Sequence, residues 1–225
     1  MDTGIQERLM QLRQQLPAHV KLIAVSKTMP DALIMEAYAA GQRLFGENKA
    51  QELSAKMERL PKDIQWHFIG HLQTNKVKYI APQVHMIESV DSLKLLTEIN
   101  RQAAKNNRII RCLLQFHIAE EDTKFGLDLP EAQALLEAIP AASLHNVRIC
   151  GVMGMATFTE DFSQVRREFR QLKSLFDTIK HKYFAGDAGF SEISMGMSGD
   201  FLIAIEEGSS MVRIGSSIFG ERNYS

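Results

Sequence analysis

The stretch LIAVSKTMPDALIMEAYAAGQRLFGEN, residues 22–48, decides the fold. A short apolar run ends in polar residues, a helical segment from Pro30 to Ala40 follows, and a second apolar run, LFGEN, comes next. Apolar runs of this length are typical of buried strands, and the segment between them is long enough to be a crossover helix. The stretch therefore predicts a βα unit whose consecutive strands pair in parallel.

The same alternation continues to the end of the chain. Further helical segments are predicted around residues 51–60, over 92–105, after Pro130 and over 162–183. Six more strand candidates bring the total to eight: WHFIG, MIESV, RCLLQFHI, VRICGVMGMA, EISMGMS and SMVRIGSSIFG. Most are apolar rather than strictly alternating, as expected for parallel strands that are covered on both faces.

These repeats predict an α/β fold with one closed (β/α)8 TIM barrel. No linker-like break divides them, and the G-x-G-x-x-G turn that marks many open sheets is missing after the first strand. An amphipathic helix within residues 1–17, ended by Pro17, precedes the repeats. We therefore expect residues 1–225 to form a single barrel domain with an extra N-terminal helix.

Composition and spacing exclude several classes of function. The 225 residues include 26 Lys and Arg against 27 Asp and Glu, so the net charge of -1 gives no reason to bind nucleic acid or an anionic membrane. No signal peptide or membrane span is recognisable, which predicts a cytoplasmic protein. Cys112 and Cys150 lie in apolar runs and are expected to be buried free thiols. His67 and His71 are spaced i, i+4 on a predicted strand, where that spacing does not indicate a metal site.

Lys27 is the first candidate site residue. Active sites of such barrels form where the strands end, and Lys27 ends the first apolar run. A lysine that is largely removed from water there would have a lowered amine pKa, which suits a nucleophile that forms a Schiff base. A lysine that simply extends from the strand end into solvent remains the alternative at this stage.

Two Gly/Ser loops point to a phosphate. The loops after the seventh and eighth strands often bind phosphate in these barrels, and here they read Ser194-Met-Gly-Met-Ser-Gly199 and Gly215-Ser-Ser217. Glycine allows backbone amides to approach an anion closely, and serine adds a hydroxyl group. Ordinary turns also contain Gly and Ser, so the pattern favours a phosphate site without fixing it.

Arg213, two residues before Gly215 on the last strand, has two interpretations. If it faces the ligand, its guanidinium would keep a pyridine nitrogen unprotonated and weaken the ring as an electron sink. The alternative is a salt bridge with Glu206 or Glu207.

Six stretches, in chain order, resemble the pyridoxal phosphate homeostasis protein family, whose fold is like the barrel domain of alanine racemase. The third is the most specific of them. They are VSKT at 25–28, FGEN at 45–48, WHFIGHLQTNK at 66–76, KFG at 124–126, SMGMSGD at 194–200 and VRIGSSIFG at 212–220.

The resemblance implies that the cofactor is pyridoxal 5'-phosphate (PLP) and that Lys27 carries it. Asn48 and Arg213 match residues that line the cofactor. The positions that match the phosphate-binding residues of the family are Ser194, Gly196, Ser198, Gly215 and Ser216. Two departures, Lys49 for a bulkier apolar residue and Ser216 for a common threonine, remove no group that the site needs.

The function implied is PLP binding for intracellular PLP (vitamin B6) homeostasis, and through it an influence on amino-acid and keto-acid metabolism. PLP-dependent apo-enzymes are candidate recipients, a monomer is expected, and no residue is assigned a catalytic role.

Racemases of the related fold need a second domain and a tyrosine base from a partner subunit. The second hypothesis for the function is a weak PLP enzyme such as an amino-acid racemase. The third is a lyase that uses Lys27 directly on a carbonyl substrate. The tyrosines available as a base are Tyr38, Tyr79, Tyr183 and Tyr224.

Overall fold

A closed barrel of eight parallel strands forms the centre of the protein. The computed structural model describes residues 4–120 and 125–220. Each strand pairs with the next along the chain, and the last pairs with the first. The strands are β1 Lys21–Val25, β2 Leu44–Glu47, β3 Gln65–Phe68, β4 Met86–Val90, β5 Ile110–Phe116, β6 Val147–Gly154, β7 Glu192–Ser194 and β8 Met211–Ile214. The predicted (β/α)8 barrel is thereby confirmed.

Helices follow the strands and cover the outside of the barrel. The long ones match their predicted segments to within a few residues, and Asp161 caps the longest through the backbone N–H groups of Ser163 and Gln164. A 3-10 turn, Thr74–Lys76, leads into α4. The helices are α1 Ile5–Gln15, α2 Asp31–Ala39, α3 Ala50–Arg59, α4 Val77–Ile80, α5 Leu93–Lys105, α6 Leu129–Ala142, α7 Phe162–Tyr183, α8 Phe201–Glu206 and α9 Ser216–Phe219.

Both faces of the strands are buried, which explains why the sequence shows apolar runs rather than alternation. All five residues of β4 are buried, although two of them, Glu88 and Ser89, are polar. A cluster of apolar side chains from five strands packs together inside the barrel: Ile23, Met86, Leu113, Cys150, Met153 and Met211. Cys112 and Cys150 are buried free thiols, as predicted.

The strands end earlier than the apolar runs suggest, and this places the polar residues in loops. β1 ends at Val25, so Ser26 and Lys27 belong to the connection that follows. β7 ends at Ser194, and Gly196 turns the chain with φ +97. A side chain is strained at that φ, and a Cβ on Gly196 would lie 2.6 Å from the Cβ of Ala204, so only glycine allows this turn to pack on α8.

We expect His85 to make the stability of this fold depend on pH. It precedes β4 and is partly buried. Burial, helped by His67 and Arg111, lowers its pKa to about 4 from an ordinary 6.5. Between these values the unfolded chain binds more protons than the native protein. Because solvent screens the partly exposed ring, we expect the free energy of unfolding to fall by only about 1 kcal/mol from pH 7 to pH 5.

Urea unfolding at the two pH values measures this difference. His85→Gln cannot titrate, so its unfolding free energy should lose that much less over the same interval. Equal pH dependence in both proteins would contradict the assignment to His85.

Candidate functional site

A cavity of about 850 Å³ opens at the end of the barrel where the strands finish. That size lies within the range of small-molecule and cofactor sites. Six of the eight residues that the sequence predicts for the site line it: Lys27, Asn48, Ser198, Arg213, Gly215 and Ser216. The closed barrel thus brings together residues that are separated by up to 189 positions in the chain, from 27 to 216.

Ser194 and Gly196 are not among the residues that line the cavity. The Ser194 side chain is fully buried, and its hydroxyl group hydrogen-bonds within the barrel. Gly196 shapes the loop that presents Ser198 and Gly199 to the cavity. Contact of these two residues with phosphate therefore stays a prediction.

The two Gly/Ser loops meet at one side of the cavity. The backbone N–H of Gly215 lies 3.4 Å from the Ser198 Oγ, which accepts a hydrogen bond from it. The Asp200 carboxylate fixes the first loop by accepting from the Met197 backbone N–H at 2.5 Å. Hydroxyl and amide groups of two separate chain segments consequently surround the same space, as an anionic group requires.

Arg213 lies at the inner wall of the cavity, where it is only 4% exposed. Its Nη1 donates to the Ser194 Oγ at 2.6 Å, and its Nη2 donates to the Gly154 carbonyl oxygen at 3.0 Å. The alternative salt bridge with Glu206 or Glu207 does not form. Both carboxylates instead accept from arginines on α7, Arg166 binding both and Arg170 binding Glu207.

Glu88 on β4 balances the buried charge of Arg213 from across the barrel. Its Oε2 accepts from the Ser194 Oγ at 2.5 Å and lies 3.9 Å from the Arg213 Nη1. Its Oε1 lies 2.6 Å from the His67 Nδ1. Burial alone would raise the pKa of Glu88, but the hydrogen bond and charge of His67, the charge of Arg213 and the Ser194 hydroxyl outweigh it and hold that pKa below the ordinary value. An ionised Glu88 only accepts, so the Nδ1 of His67 carries a proton.

Asn48 contributes a polar atom that has no protein partner among the described residues. Its Oδ1 is buried and receives no hydrogen bond, although its residue lines the cavity. A buried amide oxygen without a donor is costly, and the usual solution is a ligand or an ordered water. These groups fit PLP: the Lys27 amine would meet its aldehyde, the Asn48 oxygen would accept from its hydroxyl group, and the Gly/Ser loops would surround its phosphate.

Sequence reasoning missed the outer wall of the cavity, which is rich in aromatic side chains. The His71 ring stacks on Phe125 with centroids 4.2 Å apart, and Phe158 and Phe162 lie at the mouth with more than half of their surface exposed. Inspecting the residues just after β6 as closely as those after β7 and β8 would have identified Phe158. Lys124, within the stretch 124–126, lies outside the described residues.

Three of the four candidate tyrosines lie away from the cavity. The Tyr38 hydroxyl donates to Asp63, that of Tyr183 donates to Glu137, and Tyr79 lies beside Lys78 on the surface. Tyr224 lies outside the described residues.

Residues 4–120 and 125–220 contain neither a candidate metal site nor a candidate membrane span. Within these ranges no group of three or more His, Cys, Asp or Glu residues is arranged to hold a metal ion. Within them, too, no helix combines the length and apolarity needed to cross a bilayer.

Several known proteins are similar to this chain. Residues 3–223 match the family model for the alanine racemase N-terminal domain. The pyridoxal phosphate homeostasis protein of Aquifex aeolicus is 42% identical over 205 residues, which cover 91% of this chain and 88% of that protein. The human protein of the same name is 40% identical over 232 residues, covering 98% of this chain and 84% of its relative.

Several solved structures are also similar to this chain. PipY of Synechococcus elongatus without PLP has a TM-score of 0.88 at 37% identity, covering 96% of this chain and 100% of PipY. PipY with PLP bound has a TM-score of 0.84. Alanine racemase of Clostridium difficile, at 12% identity and a TM-score of 0.76, shares the fold; the match covers 99% of this chain and 57% of the racemase. On the family model and these relatives, the chain belongs to the pyridoxal phosphate homeostasis protein family, built on the alanine racemase N-terminal domain.

Proposed function

We propose that this protein binds PLP reversibly as a Schiff base on Lys27 and serves the intracellular homeostasis of PLP. The observation that carries the proposal is that Lys27 and the two Gly/Ser loops line one cavity. PLP supplies an aldehyde that primary amines attack, and Lys27 is the residue that would hold it. PipY, a relative of this chain, has been solved with PLP bound.

Each end of the cofactor has a counterpart in the cavity. Ser198, Gly215 and Ser216 would bind the phosphate through hydroxyl and amide groups, and the Asn48 Oδ1 would accept a hydrogen bond from a ring substituent. Arg213 is buried, fixed by Ser194 and Gly154, and permanently positive. A fixed positive charge at the ring would disfavour protonation of a pyridine nitrogen, which supports storage and delivery over carbanion chemistry.

We further propose how the protein acts in the cell. The barrel with its N-terminal helix, residues 1–225, would function as a single domain and a monomer in the cytoplasm. PLP-dependent apo-enzymes would receive the cofactor from it.

Borohydride trapping tests the proposal. The purified protein should show a visible absorbance band with PLP, and reduction followed by peptide mass mapping should place one pyridoxyl group on the Lys27 peptide. Pyridoxal, which lacks the phosphate, should label Lys27 at least about tenfold less at equal concentration, since charge-assisted hydrogen bonds to the loops are lost. An unmodified Lys27 after incubation with excess PLP would overturn the proposal.

A further inference from the structure

The turn that carries Lys27 contains a strained residue. Thr28 has φ +64, in the left-handed region that L-residues with branched Cβ atoms rarely adopt. Asn107 and Ser143 also have positive φ, but they follow the helices α5 and α6, where such a conformation is common. A conformation of this kind persists only where the surroundings impose it.

Lys56 on α3 provides one part of those surroundings. It is only 3% exposed, which is unusual for a lysine. Its Nζ donates to the Ser26 carbonyl oxygen at 2.9 Å, to the Glu47 Oε1 at 2.8 Å and to the Glu52 Oε1 at 2.7 Å. These three bonds use all three N–H groups of the ammonium, so its direction is fixed.

The two carboxylates contact the residues on either side of Lys27. The Glu52 Oε1 accepts from the Thr28 backbone N–H at 2.6 Å, and the Glu47 Oε1 accepts from the Ser26 Oγ at 2.5 Å. Burial would raise the pKa of Glu52, but its bonds from Lys56 and the Thr28 N–H outweigh burial and lower it, so Glu52 stays ionised. The backbone is thereby held immediately before and immediately after Lys27.

A network of this kind is a poor source of stability by itself. Desolvating buried charges costs about as much as their attraction returns, and well-packed apolar residues often do as well. The geometry of the network, however, bears on the direction in which Lys27 extends. Of the three residues of the Ser26–Thr28 turn, Lys27 is the one that lines the cavity.

We infer that Lys56, Glu52 and Glu47 are positioning residues that hold Thr28 in its left-handed conformation and so direct the Lys27 amine into the cavity. The inference rests on the proposed function for the identity of the aldehyde that Lys27 meets. The contacts that hold the turn are all made by groups of the protein itself. The conformation of the turn can therefore be measured separately.

Lys56→Met tests the inference, because methionine keeps an unbranched chain and removes the charge. In cofactor-free protein, the Thr28 amide should exchange with solvent at least about tenfold faster, since its acceptor is no longer fixed. With PLP and borohydride, the rate at which Lys27 is labelled should also fall at least about tenfold. Lys173→Met, which removes an exposed lysine paired with Asp177, should change neither rate.

A second substitution separates positioning from general destabilisation. Asparagine adopts the left-handed region more readily than threonine, so Thr28→Asn needs less support from the network. In the background of Lys56→Met, Thr28→Asn should restore most of the labelling of Lys27. A structural role for Lys56 alone would not produce this rescue.

Other outcomes are equally informative. If Lys56→Met lowers the melting temperature but leaves Thr28 exchange and Lys27 labelling unchanged, the inference is wrong. If that variant does not fold, Glu52→Ala removes the acceptor of the Thr28 N–H directly and should give the same two changes; unchanged rates would again overturn the inference. If PLP labels no variant, wild type included, the proposed function fails while Thr28 exchange still decides whether the network holds the turn.

Discussion

Lys27→Ala should abolish the pyridoxyl label on this protein and remove its visible absorbance band. The amine of Lys27 is the group in the cavity that we expect to bond to the cofactor aldehyde, and alanine has nothing to replace it. The Gly/Ser loops and Arg213 remain in place. PLP should therefore still bind, with an affinity reduced by about a hundredfold, or about 2.7 kcal/mol.

Two further variants make this result specific. Lys27→Arg keeps a positive charge but cannot form the bond, so it should also lose the label. Lys78→Ala removes an exposed lysine that does not line the cavity and should be labelled like the wild type. Trapping by borohydride with mass mapping gives the label, and equilibrium dialysis gives the residual affinity. A label of unchanged intensity in Lys27→Ala would show that another lysine carries the cofactor.

The order of strands and helices could be predicted from the sequence because each βα unit is recognisable from its own stretch of residues. Apolar runs mark buried strands, and the longer amphipathic segments between them mark helices. The end of each strand was less clear. The predicted seventh strand ran on to Ser198, whereas β7 ends at Ser194. Met195 and Gly196 still make backbone hydrogen bonds with Met211 and Arg213 of β8, but the positive φ of Gly196 takes the chain out of the extended conformation.

The same early ending explains why only one of the two serines predicted to bind phosphate, Ser194 and Ser198, lines the cavity. Side chains alternate along a strand, but they stop alternating once the chain leaves it. Ser194 is the last strand residue and points into the barrel, towards Arg213 and Glu88, whereas Ser198 lies in the loop and lines the cavity. A Gly/Ser motif identifies the loop, but only the fold decides which hydroxyl group lines the cavity.

The partner of Arg213 was unpredictable for a different reason. Glu88 lies 125 positions earlier in the chain, and only closure of the barrel brings β4 opposite β8. In a strand that is buried on both faces, periodicity cannot show which residues point inward. Sequence reasoning therefore considered the nearby Glu206 and Glu207, which bind surface arginines instead.

Removing this partner should have the largest effect on stability. Glu88→Gln keeps the shape of the side chain but removes the carboxylate that lies 3.9 Å from the buried guanidinium of Arg213. Breaking a buried ion pair on one side costs about 3–5 kcal/mol, and we expect a loss in the free energy of unfolding near the lower end, about 3 kcal/mol, since the amide oxygen still accepts one of the two hydrogen bonds. Urea unfolding at pH 7 measures it.

A surface pair provides the matched comparison. Asp177→Asn breaks an exposed i, i+4 pair with Lys173 and should cost less than about 0.5 kcal/mol. The double variant Glu88→Gln, Arg213→Met removes both buried charges and should recover most of the stability. A loss in Glu88→Gln as small as that in Asp177→Asn would mean that Arg213 does not depend on Glu88.

The cost of Glu88→Gln should also depend on pH in a defined direction. Burial would raise the pKa of Glu88 in the folded protein, but the hydrogen bond and charge of His67, the charge of Arg213 and the hydrogen bond from Ser194 overcome it and hold this pKa below its ordinary value of 4.5. A lowered carboxyl pKa stabilises the native state above the unfolded pKa and loses that contribution as the pH falls through the folded value. The difference in unfolding free energy between wild type and Glu88→Gln should therefore be constant above about pH 5 and shrink below pH 4.5. A difference that grew on acidification would contradict an ionised Glu88 beneath the cavity.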